Sequence, residues 1–231
     1  MSTGAPYDSI ASLYDRHWGR DFAVPATRAI DTYVADQLRP GSPVLDLCCG
    51  TGLVLAHLDR LGLAAYGVDE SANMLDVARS NAPRATLLQG DMADFAMDVR
   101  FSAAVSFYNS LNHARSLDHL RAAIANVSAH LGSGGLFLFD YVLPEAFAAS
   151  WEWREQLESD GRIWTVEYSY DQVTEAPIVR LDQHQSICQI CFTPQQLQDG
   201  LYAAGLRLIQ ETAMSDANPA GGRRLALARK P

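Results

Sequence analysis

The stretch Val44-Leu45-Asp46-Leu47-Cys48-Cys49-Gly50-Thr51-Gly52 decides the fold class of this 231-residue chain. Its first four residues are mainly apolar and predict a short buried strand. Gly50 and Gly52 permit a tight turn and a close approach by a ligand. A helix predicted over residues 52–61 begins at this turn and offers unpaired backbone N–H groups there. The stretch therefore predicts a nucleoside-binding unit of strand, turn and helix.

Strands and helices alternate from this stretch to residue 142. Strands are predicted at residues 44–47, 65–68, 85–89, 102–107 and 135–142, and helices at residues 52–61, 72–81 and 116–131. Such alternation is typical of a parallel sheet covered by helices on both faces. Two further helices, at residues 7–18 and 21–38, are predicted before the first strand.

The C-terminal part has a different pattern. Residues 164–170 and 178–192 alternate like antiparallel strands, a helix is predicted at 193–204, and strands are predicted at 206–211 and 224–229. Residues 144–191 therefore read as an antiparallel insertion between the fifth strand and the last helix. An insertion beside the carboxyl edge of a parallel sheet is well placed to cover a ligand crevice.

An acidic residue at the end of the second strand indicates which cofactor the turn accepts. Asp69 lies about 20 residues beyond the glycine turn, where a carboxylate meets ribose hydroxyls in nucleotide-binding α/β folds. A dinucleotide fingerprint requires GxGxxG or GxGxxA. Counted from Gly50 its last position is Leu55, and counted from Cys48 it is Leu53. A nicotinamide oxidoreductase is therefore disfavoured.

Four blocks in order, each at a strand end, carry a family resemblance. They are residues 44–52, Gly67-Val68-Asp69-Glu70-Ser71-Ala72-Asn73-Met74-Leu75, Gly90-Asp91-Met92 and Gly132-Ser133-Gly134-Gly135-Leu136-Phe137. With them, residues 7–142 resemble the class I S-adenosylmethionine-dependent methyltransferases, and within these the small-molecule N- and O-methyltransferases, including amino-sugar N-methyltransferases. Cys48 departs from the pattern, which most often has glycine there.

The resemblance implies an α/β fold with a Rossmann-like, doubly wound sheet of seven mostly parallel strands. We expect a single domain over residues 1–231, with residues 1–40 covering the site. Residues 144–191 are expected to form an antiparallel β insertion after the fifth strand, as a lid or a dimer surface.

The resemblance also implies S-adenosylmethionine as the cofactor and assigns residues to it. Gly50 and its neighbours contact the methionine part, and Asp69 holds the ribose hydroxyls. Asp91 accepts from the adenine amino group, with Met92 beside the ring. The other residues expected at the cofactor are Asp46, Cys48, Gly52, Glu70, Met74, Tyr14 in the first helix, and Phe107, whose carbonyl faces the cofactor's amino group. Three of these residues have a structural alternative: Asp69 as a strand-end cap, Asp91 as a turn former and Tyr14 as a core aromatic.

The chemistry requires mainly that the protein align nucleophile, methyl group and sulfur and exclude water. An amine attacks unassisted once it is neutral, whereas a hydroxyl needs a base. The candidate base is His113, in the segment that leaves the fourth strand, and it titrates near neutral pH. The alternative is that His113 packs against or caps the following helix. Tyr14, closing over the methionine carboxylate or the substrate, is the second candidate for catalysis.

Substrate contacts are expected from three places. Asn109 and Asn112 lie in the segment before His113, and Tyr141 ends the fifth strand. Trp151 and Trp153 belong to the insertion, where they line a substrate pocket or form a small core or a dimer face. His119 and His184 are interpreted as ordinary helix and strand residues.

Composition narrows the partners. The net charge is −9, with 18 basic and 27 acidic residues, so a nucleic-acid surface is not expected. No apolar run reaches the roughly 18–20 residues of a membrane span, and no basic start precedes an apolar segment, so a cytoplasmic location is expected. The pair Cys188 and Cys191 is interpreted as structural, and no metal is expected.

The sequence thus predicts a methyltransferase that moves a methyl group to nitrogen or oxygen of a small molecule by in-line displacement. The predicted partner is a small-molecule methyl acceptor, with no nucleic acid and no membrane, and the protein is expected as a monomer or a homodimer. The alternative of a different class is a non-catalytic, cofactor-binding subunit of the same fold.

Overall fold

The computed structural model describes residues 5, 7–182, 185–214 and 222–231. In these residues eleven strands form two sheets. The strands are β1 (Pro43–Leu47), β2 (Ala64–Asp69), β3 (Thr86–Gln89), β4 (Phe101–Ser106), β5 (Leu131–Val142), β6 (Trp153–Ser159), β7 (Arg162–Asp171), β8 (Ala176–Leu181), β9 (Gln185–Cys188), β10 (Arg207–Ala213) and β11 (Arg223–Arg229).

Helices pack around these strands in chain order. They are α1 (Ala11–Tyr14), α2 (Arg20–Tyr33), α3 (Leu53–Arg60), α4 (Ala72–Asn81), α5 (Leu117–His130), α6 (Pro144–Ser150) and α7 (Pro194–Ala203). A π-helical turn at Asp15–Gly19 joins α1 to α2, so the two N-terminal helices predicted from the sequence are one nearly continuous helical segment up to Tyr33. Further 3-10 turns lie at Asp8–Ile10, Ala35–Gln37 and Ser110–His113.

The larger sheet has seven strands in the order β10-β11-β5-β4-β1-β2-β3. The five adjacent strands β5, β4, β1, β2 and β3 pair in parallel. The strand β11 is antiparallel to both of its neighbours, β5 and β10. This confirms the predicted doubly wound, mostly parallel sheet. Along the chain, β2 and β3 are added on one side of β1, and the chain then crosses to place β4 on the other side of β1. The carboxyl ends of β1 and β4 therefore flank the switch point where α/β sheets bind ligands.

Alternating side chains of the central strands explain why helices cover both faces. On β5, Phe137 and Phe139 face one buried cluster with α5 and α7, while Leu136 and Leu138 face another with α2 and α3. Successive strand residues point to opposite faces, so a strand apolar at every position requires cover on both sides.

The insertion after β5 holds the second sheet, antiparallel and ordered β6-β7-β8-β9. The sequence predicted its antiparallel character but neither α6 nor β6. Since β6 is an edge strand with mostly exposed or half-buried residues, its apolar alternation is weak. Pro144 stands at the first helical position of α6, where proline is tolerated. Gln183 and His184, in the predicted strand 178–192, lie outside the described residues.

The N-terminal helical segment packs against this insertion. Ile10 and Leu13 share one buried cluster with Phe147, Val166 and Ile187. These contacts bring both regions to the carboxyl edge of the larger sheet, since Val142 at the end of β5 belongs to the same cluster. Among the described helices, none combines the length and the apolar composition that a bilayer span requires.

Candidate active site

The turn after β1 is fixed by the carboxylate that ends β2. The N–H of Gly50 donates to Oδ2 of Asp69 at 2.8 Å, and the N–H of Ser71 donates to Oδ1 at 3.0 Å. Cys48 and Gly50 have φ angles of 60° and 51°. A non-glycine residue is uncommon in this left-handed region, so Cys48, where the family pattern most often has glycine, adopts a strained conformation.

Gly52 has a packing role. A Cβ added to it would lie 2.9 Å from Cβ of Ala78 on α4, and its φ of 79° is left-handed. Gly52 does not line the cavity described next. The contact of Gly52 with the cofactor stays a prediction, and the structure shows that this glycine allows the start of α3 to pack closely against α4.

A cavity of about 440 Å³ opens beside this turn, which we call the cofactor cavity. A volume of this size lies in the ordinary range of small-molecule sites. Most residues that the sequence assigned to the cofactor line it: Tyr14, Cys48, Gly50, Asp69, Glu70, Met74, Asp91 and Met92. His113 lines it too. Their contact with the cofactor itself stays a prediction.

The carboxylates at the cofactor cavity can accept hydrogen bonds from a ligand. Burial raises the pKa of Asp69 to about 6, although the N–H groups of Ser71 and Gly50 partly oppose that shift. Asp46, expected at the cofactor, is buried and does not line the cavity. Burial, followed by the charge of Asp69, raises its pKa well above the usual range. Its Oδ2 finds no hydrogen-bond partner among the described residues. Further donors at this site, such as the hydroxyl and amino groups of S-adenosylmethionine, would fit these acceptors.

Asp91 belongs to a charged cluster on the cavity wall. Its carboxylate contacts Nε2 of His119 at 2.7 Å and the guanidinium of Arg115, which also lies 3.9 Å from Glu70. Burial raises the pKa of Asp91, but the bonds from Ala93 N–H and His119 outweigh this and hold it below its usual range. His119 was interpreted as an ordinary helix residue, and this is corrected: it holds Asp91 and lines the cofactor cavity.

A second cavity of about 580 Å³, which we call the acceptor cavity, adjoins the first. The two share five lining residues: Tyr7, Tyr108, His113, Ile187 and Gln189. Trp151 and Trp153, expected at the substrate, line the acceptor cavity with Tyr168. The Trp153 and Tyr168 rings stack with centroids 3.8 Å apart, and Trp151 meets both edge-on at 5.1 and 5.6 Å.

His113 stands where the two cavities meet. Its Nε2 lies 3.2 Å from the hydroxyl oxygen of Tyr7, and the two rings pack edge to face. Burial lowers the pKa of His113 to about 4, so the imidazole is neutral at neutral pH. Burial also raises the pKa of Tyr7 and of Tyr14, which keeps both hydroxyls protonated. The junction thus offers neutral hydrogen-bonding groups.

A buried ion pair holds the segment that leads to His113. Arg223 on β11 donates from Nη1 to Oδ2 of Asp140 at 3.0 Å and from Nη2 to Oδ1 of Asn109 at 3.1 Å. Asp140 also accepts the backbone N–H groups of Tyr108 and Asn109, both in the left-handed region. Asn109 lines the acceptor cavity, but its amide is already bonded to Arg223 and Gln189. Four hydrogen bonds, to Asp140, Arg223 and Gln189, stabilise this strained pair of residues.

Three predicted contacts are corrected by burial. Asn112 is fully buried and braces backbone atoms: its Oδ1 accepts from Val142 N–H at 3.0 Å, and its Nδ2 donates to the Ile190 carbonyl at 3.0 Å. Tyr141 is also fully buried and stacks on Phe192, because its side chain faces the core side of β5.

The third is the carbonyl of Phe107, which was expected to face the cofactor. It accepts the hydroxyl of Ser110 at 2.6 Å, and Phe107 lines neither of the two cavities. Neither cavity is lined by Asn112, Tyr141 or Phe107.

Several lining residues were missed by sequence reasoning. They are Tyr7, Trp18, Phe22, Tyr108, Arg115, Glu152, Glu155, Gln189 and Arg223. Tyr108 lies inside the segment that was singled out, and Glu152 lies between Trp151 and Trp153, so the positions of these two were available signals. The others come from segments far apart in the sequence, and no local spacing marks them.

Comparison with known proteins agrees with this geometry. Residues 44–135 match the family model described as a methyltransferase domain. The chain is 34% identical over 181 residues to dTDP-3-amino-3,4,6-trideoxy-alpha-D-glucopyranose N,N-dimethyltransferase of Streptomyces venezuelae, covering 77% of this chain and 75% of the relative. It is 31% identical over 220 residues to dTDP-3-amino-3,6-dideoxy-alpha-D-glucopyranose N,N-dimethyltransferase of Streptomyces fradiae, covering 85% and 83%. The chain therefore belongs to the class I S-adenosylmethionine-dependent methyltransferases.

Solved structures support the same assignment of fold. Streptomyces venezuelae DesVI is 27% identical, with a TM-score of 0.71 over 98% of this chain and 99% of that one. CalS10 of Micromonospora echinaspora, an amino pentose methyltransferase solved with S-adenosylmethionine bound, is 21% identical, with a TM-score of 0.74 over the full length of both chains. The protein is thus a methyltransferase enzyme with S-adenosylmethionine as its cofactor, as predicted.

Proposed function

We propose that this enzyme methylates the amino nitrogen of a small molecule, an amino sugar or a similar amine. The observation that carries the choice of nitrogen is His113 at the junction of the two cavities, where burial lowers its pKa to about 4. A hydroxyl acceptor needs a base whose pKa lies near the working pH, and His113 is far below it. An amine needs only to be neutral and oriented. The named relatives that act on amino sugars support the same choice.

The cofactor is held, in this proposal, by the carboxylates at the strand ends. Asp69 accepts the ribose hydroxyls and Asp91 the adenine amino group, while the turn at Gly50 lies against the methionine part. When bound, S-adenosylmethionine supplies a methyl group on a positively charged sulfur that is a good leaving group. Tyr14 on α1 covers this site as a neutral hydroxyl. In this proposal these contacts orient the methyl group so that it points toward the acceptor cavity.

The amine is oriented, in this proposal, by the neutral ring of His113. An imidazole nitrogen accepts a hydrogen bond from the amine N–H, which points the lone pair across the junction toward the methyl group. The Tyr7 hydroxyl, 3.2 Å from Nε2, fixes the ring. His113 thus orients the amine and does not serve as its general base, because an imidazole with so low a pKa is a weak base.

The N-terminal segment and the insertion are proposed to cover this site together. Besides the shared apolar cluster, Nε2 of His17 contacts the carbonyl of Glu158 at 2.7 Å, and Arg16 pairs with Asp160 at 3.2 Å. Both contacts join the first helical segment to the hairpin of β6 and β7. Residues 1–40 and 144–191 would then exclude water from the junction, which strengthens the hydrogen bonds within it.

Matched acceptors test the choice of nitrogen. A 3-amino-3-deoxy sugar and its 3-hydroxy counterpart would be incubated separately with the enzyme and S-adenosylmethionine. Mass spectrometry would then detect the methylated products. We expect methylation of the amine and none of the hydroxyl. Methylation of the hydroxyl at a comparable rate would contradict the proposal.

Variants of His113 test its role separately. His113→Asn keeps an acceptor at the junction and should retain more activity than His113→Leu, which has none. His57→Ala is the control, because His57 lies on α3 and pairs with Asp31 away from both cavities. Equal loss in the Asn and Leu variants would argue against orientation by a hydrogen bond.

A further inference from the structure

The walls of the acceptor cavity are unusually rich in rings. Trp18, Phe22, Tyr108, Trp151, Trp153 and Tyr168 all line it. Aromatic side chains present apolar faces that pack against an apolar or aromatic body, and the same faces attract cations through their quadrupole. The cavity therefore favours a molecule with an apolar or aromatic part and a positive charge.

The charges of the lining point in the same direction. Glu152 and Glu155 both line the cavity, and neither forms an ion pair with a described residue. Glu155 instead accepts the hydroxyl of Tyr168 at 2.8 Å. Two uncompensated carboxylates attract an ammonium group and repel an anion. The bound ammonium gives its proton to solvent water, and the neutral nitrogen then attacks the methyl group.

The cationic residue in the described lining is already neutralised. Arg223 is buried with Asp140, its Nη1 lying 3.0 Å from Oδ2, and its Nη2 is bonded to Asn109. Redirecting it toward an anion would leave Asp140 buried without its ion pair, which is strongly unfavourable. The residues outside the described ranges contain neither lysine nor arginine, so their side chains add no such cation.

We infer that the methyl acceptor is an amine carried on an apolar or aromatic body and free of phosphate groups. This inference rests on the proposed function and names its substrate class. It separates the chain from the relatives named for dTDP-linked amino sugars, whose diphosphate is anionic. Proteins recognise phosphate with available arginine, lysine or backbone N–H groups, whereas this cavity offers Glu152, Glu155 and rings. A matching acceptor is an amino sugar already joined to an apolar or aromatic aglycone.

A matched pair of acceptors tests the inference on the full chain. One is dTDP-3-amino-3,6-dideoxyglucose and the other is the phenyl glycoside of the same amino sugar. We expect kcat/KM to favour the phenyl glycoside by at least about tenfold, a difference of about 1.4 kcal/mol. An equal or higher value for the dTDP-linked sugar would overturn the inference while leaving amine methylation intact.

Binding provides a readout that does not depend on turnover. Calorimetric titrations of dTDP and of the phenyl glycoside into the complex with S-adenosylhomocysteine should show tight binding of the glycoside and little of dTDP. Binding of dTDP with equal or higher affinity, or binding of neither molecule, would overturn the inference. A glycoside that binds while only hydroxyl acceptors are methylated would instead contradict the proposed amine chemistry.

Charge variants locate the preference in the cavity. The double variant Glu152→Gln with Glu155→Gln should weaken binding of the phenyl amino glycoside by about fivefold, as expected for partly exposed charges, and leave its hydroxyl analogue unchanged. Glu158→Gln is the matched control on β6, outside the acceptor cavity, and should change neither. Equal weakening of both ligands by the double variant would show a structural effect and argue against recognition of charge.

Discussion

The cofactor cavity and the acceptor cavity meet at His113 but are built from different parts of the chain. The cofactor cavity is built in part from the turns after β1, β2 and β3, within residues 48–92, and the rest of its lining comes from the N-terminal segment, residues 108–119 and residues 186–190. The acceptor cavity combines the N-terminal helical segment, the β6–β9 insertion and Arg223 on β11. The first presents carboxylates beside a glycine turn, whereas the second presents mainly aromatic rings, with Glu152 and Glu155 among them. The residues assigned to the cofactor thus come mainly from local motifs, whereas the acceptor cavity is assembled from regions that meet only in the folded protein.

The largest expected effect concerns the framework of the cofactor cavity. Gly52→Ala should lower the free energy of unfolding by about 3 kcal/mol, because a left-handed φ costs about 1–2 kcal/mol outside glycine and the new Cβ overlaps Ala78. Gly62→Ala is the control: its φ is also left-handed, at 74°, but nothing lies within 4 Å of the added Cβ. It should cost only about 1 kcal/mol. Urea unfolding measures both, and equal losses would refute the packing role.

Asp69→Ala should weaken S-adenosylmethionine binding by about 100-fold. A charged acceptor contributes about 1.5–3 kcal/mol per hydrogen bond, and about 1.4 kcal/mol corresponds to tenfold in affinity. Asp76→Ala, which removes an exposed carboxylate on α4, should leave binding unchanged. Calorimetric titration distinguishes them. An affinity within about threefold of wild type would make Asp69 a strand-end cap rather than a cofactor ligand.

Cofactor binding should also depend on pH through the same carboxylate. The pKa of Asp69 is raised to about 6 in the free protein, and ribose hydroxyls favour its ionised form. A protonated Asp69 must lose its proton before it accepts the ribose hydroxyls, so affinity should be constant above about pH 7, fall about twofold at pH 6 and fall about tenfold by pH 5. Asp69→Asn should flatten the profile. A wild-type affinity that rises on acidification would contradict this assignment.

The smallest effect should be confined to the acceptor cavity. Trp153→Ala should raise KM for the amine about fivefold, since an aromatic contact contributes about 0.5–1.5 kcal/mol, and leave the cofactor Kd unchanged. Trp164→Ala provides the control, because Trp164 lies on β7 outside this cavity with Arg162 over its ring. If both variants changed KM equally, the insertion would act as a scaffold and Trp153 would not be a substrate contact.

The contrast between the cavities explains what sequence reasoning reached. The parallel strands, the turn at Gly50 and the carboxylate of Asp69 follow from patterns a few residues long. The packing role of Gly52 was not predicted, because spacing does not reveal what a Cβ would meet. Asn112 and Tyr141 were expected at the substrate because strand ends point to the crevice, yet the side-chain direction of each leads into the core.

His119 shows the opposite case. It lies at a helical position with no motif around it, and only the packing of α5 beside the end of β3 brings it to Asp91. The ion pair of Arg223 and Asp140 spans 83 residues and has no local sequence signal. Such contacts depend on the order of strands in the sheet, which single-sequence patterns do not contain.

The sequence by itself determined the fold class, the cofactor, the glycine turn and the carboxylate at the end of the second strand, because strand periodicity and backbone conformation are local properties. Only the tertiary structure decided the acceptor cavity, the neutral state of His113 and the neutralisation of Arg223. Each of these depends on burial and on charges contributed by distant segments, and burial is a property of the assembled chain.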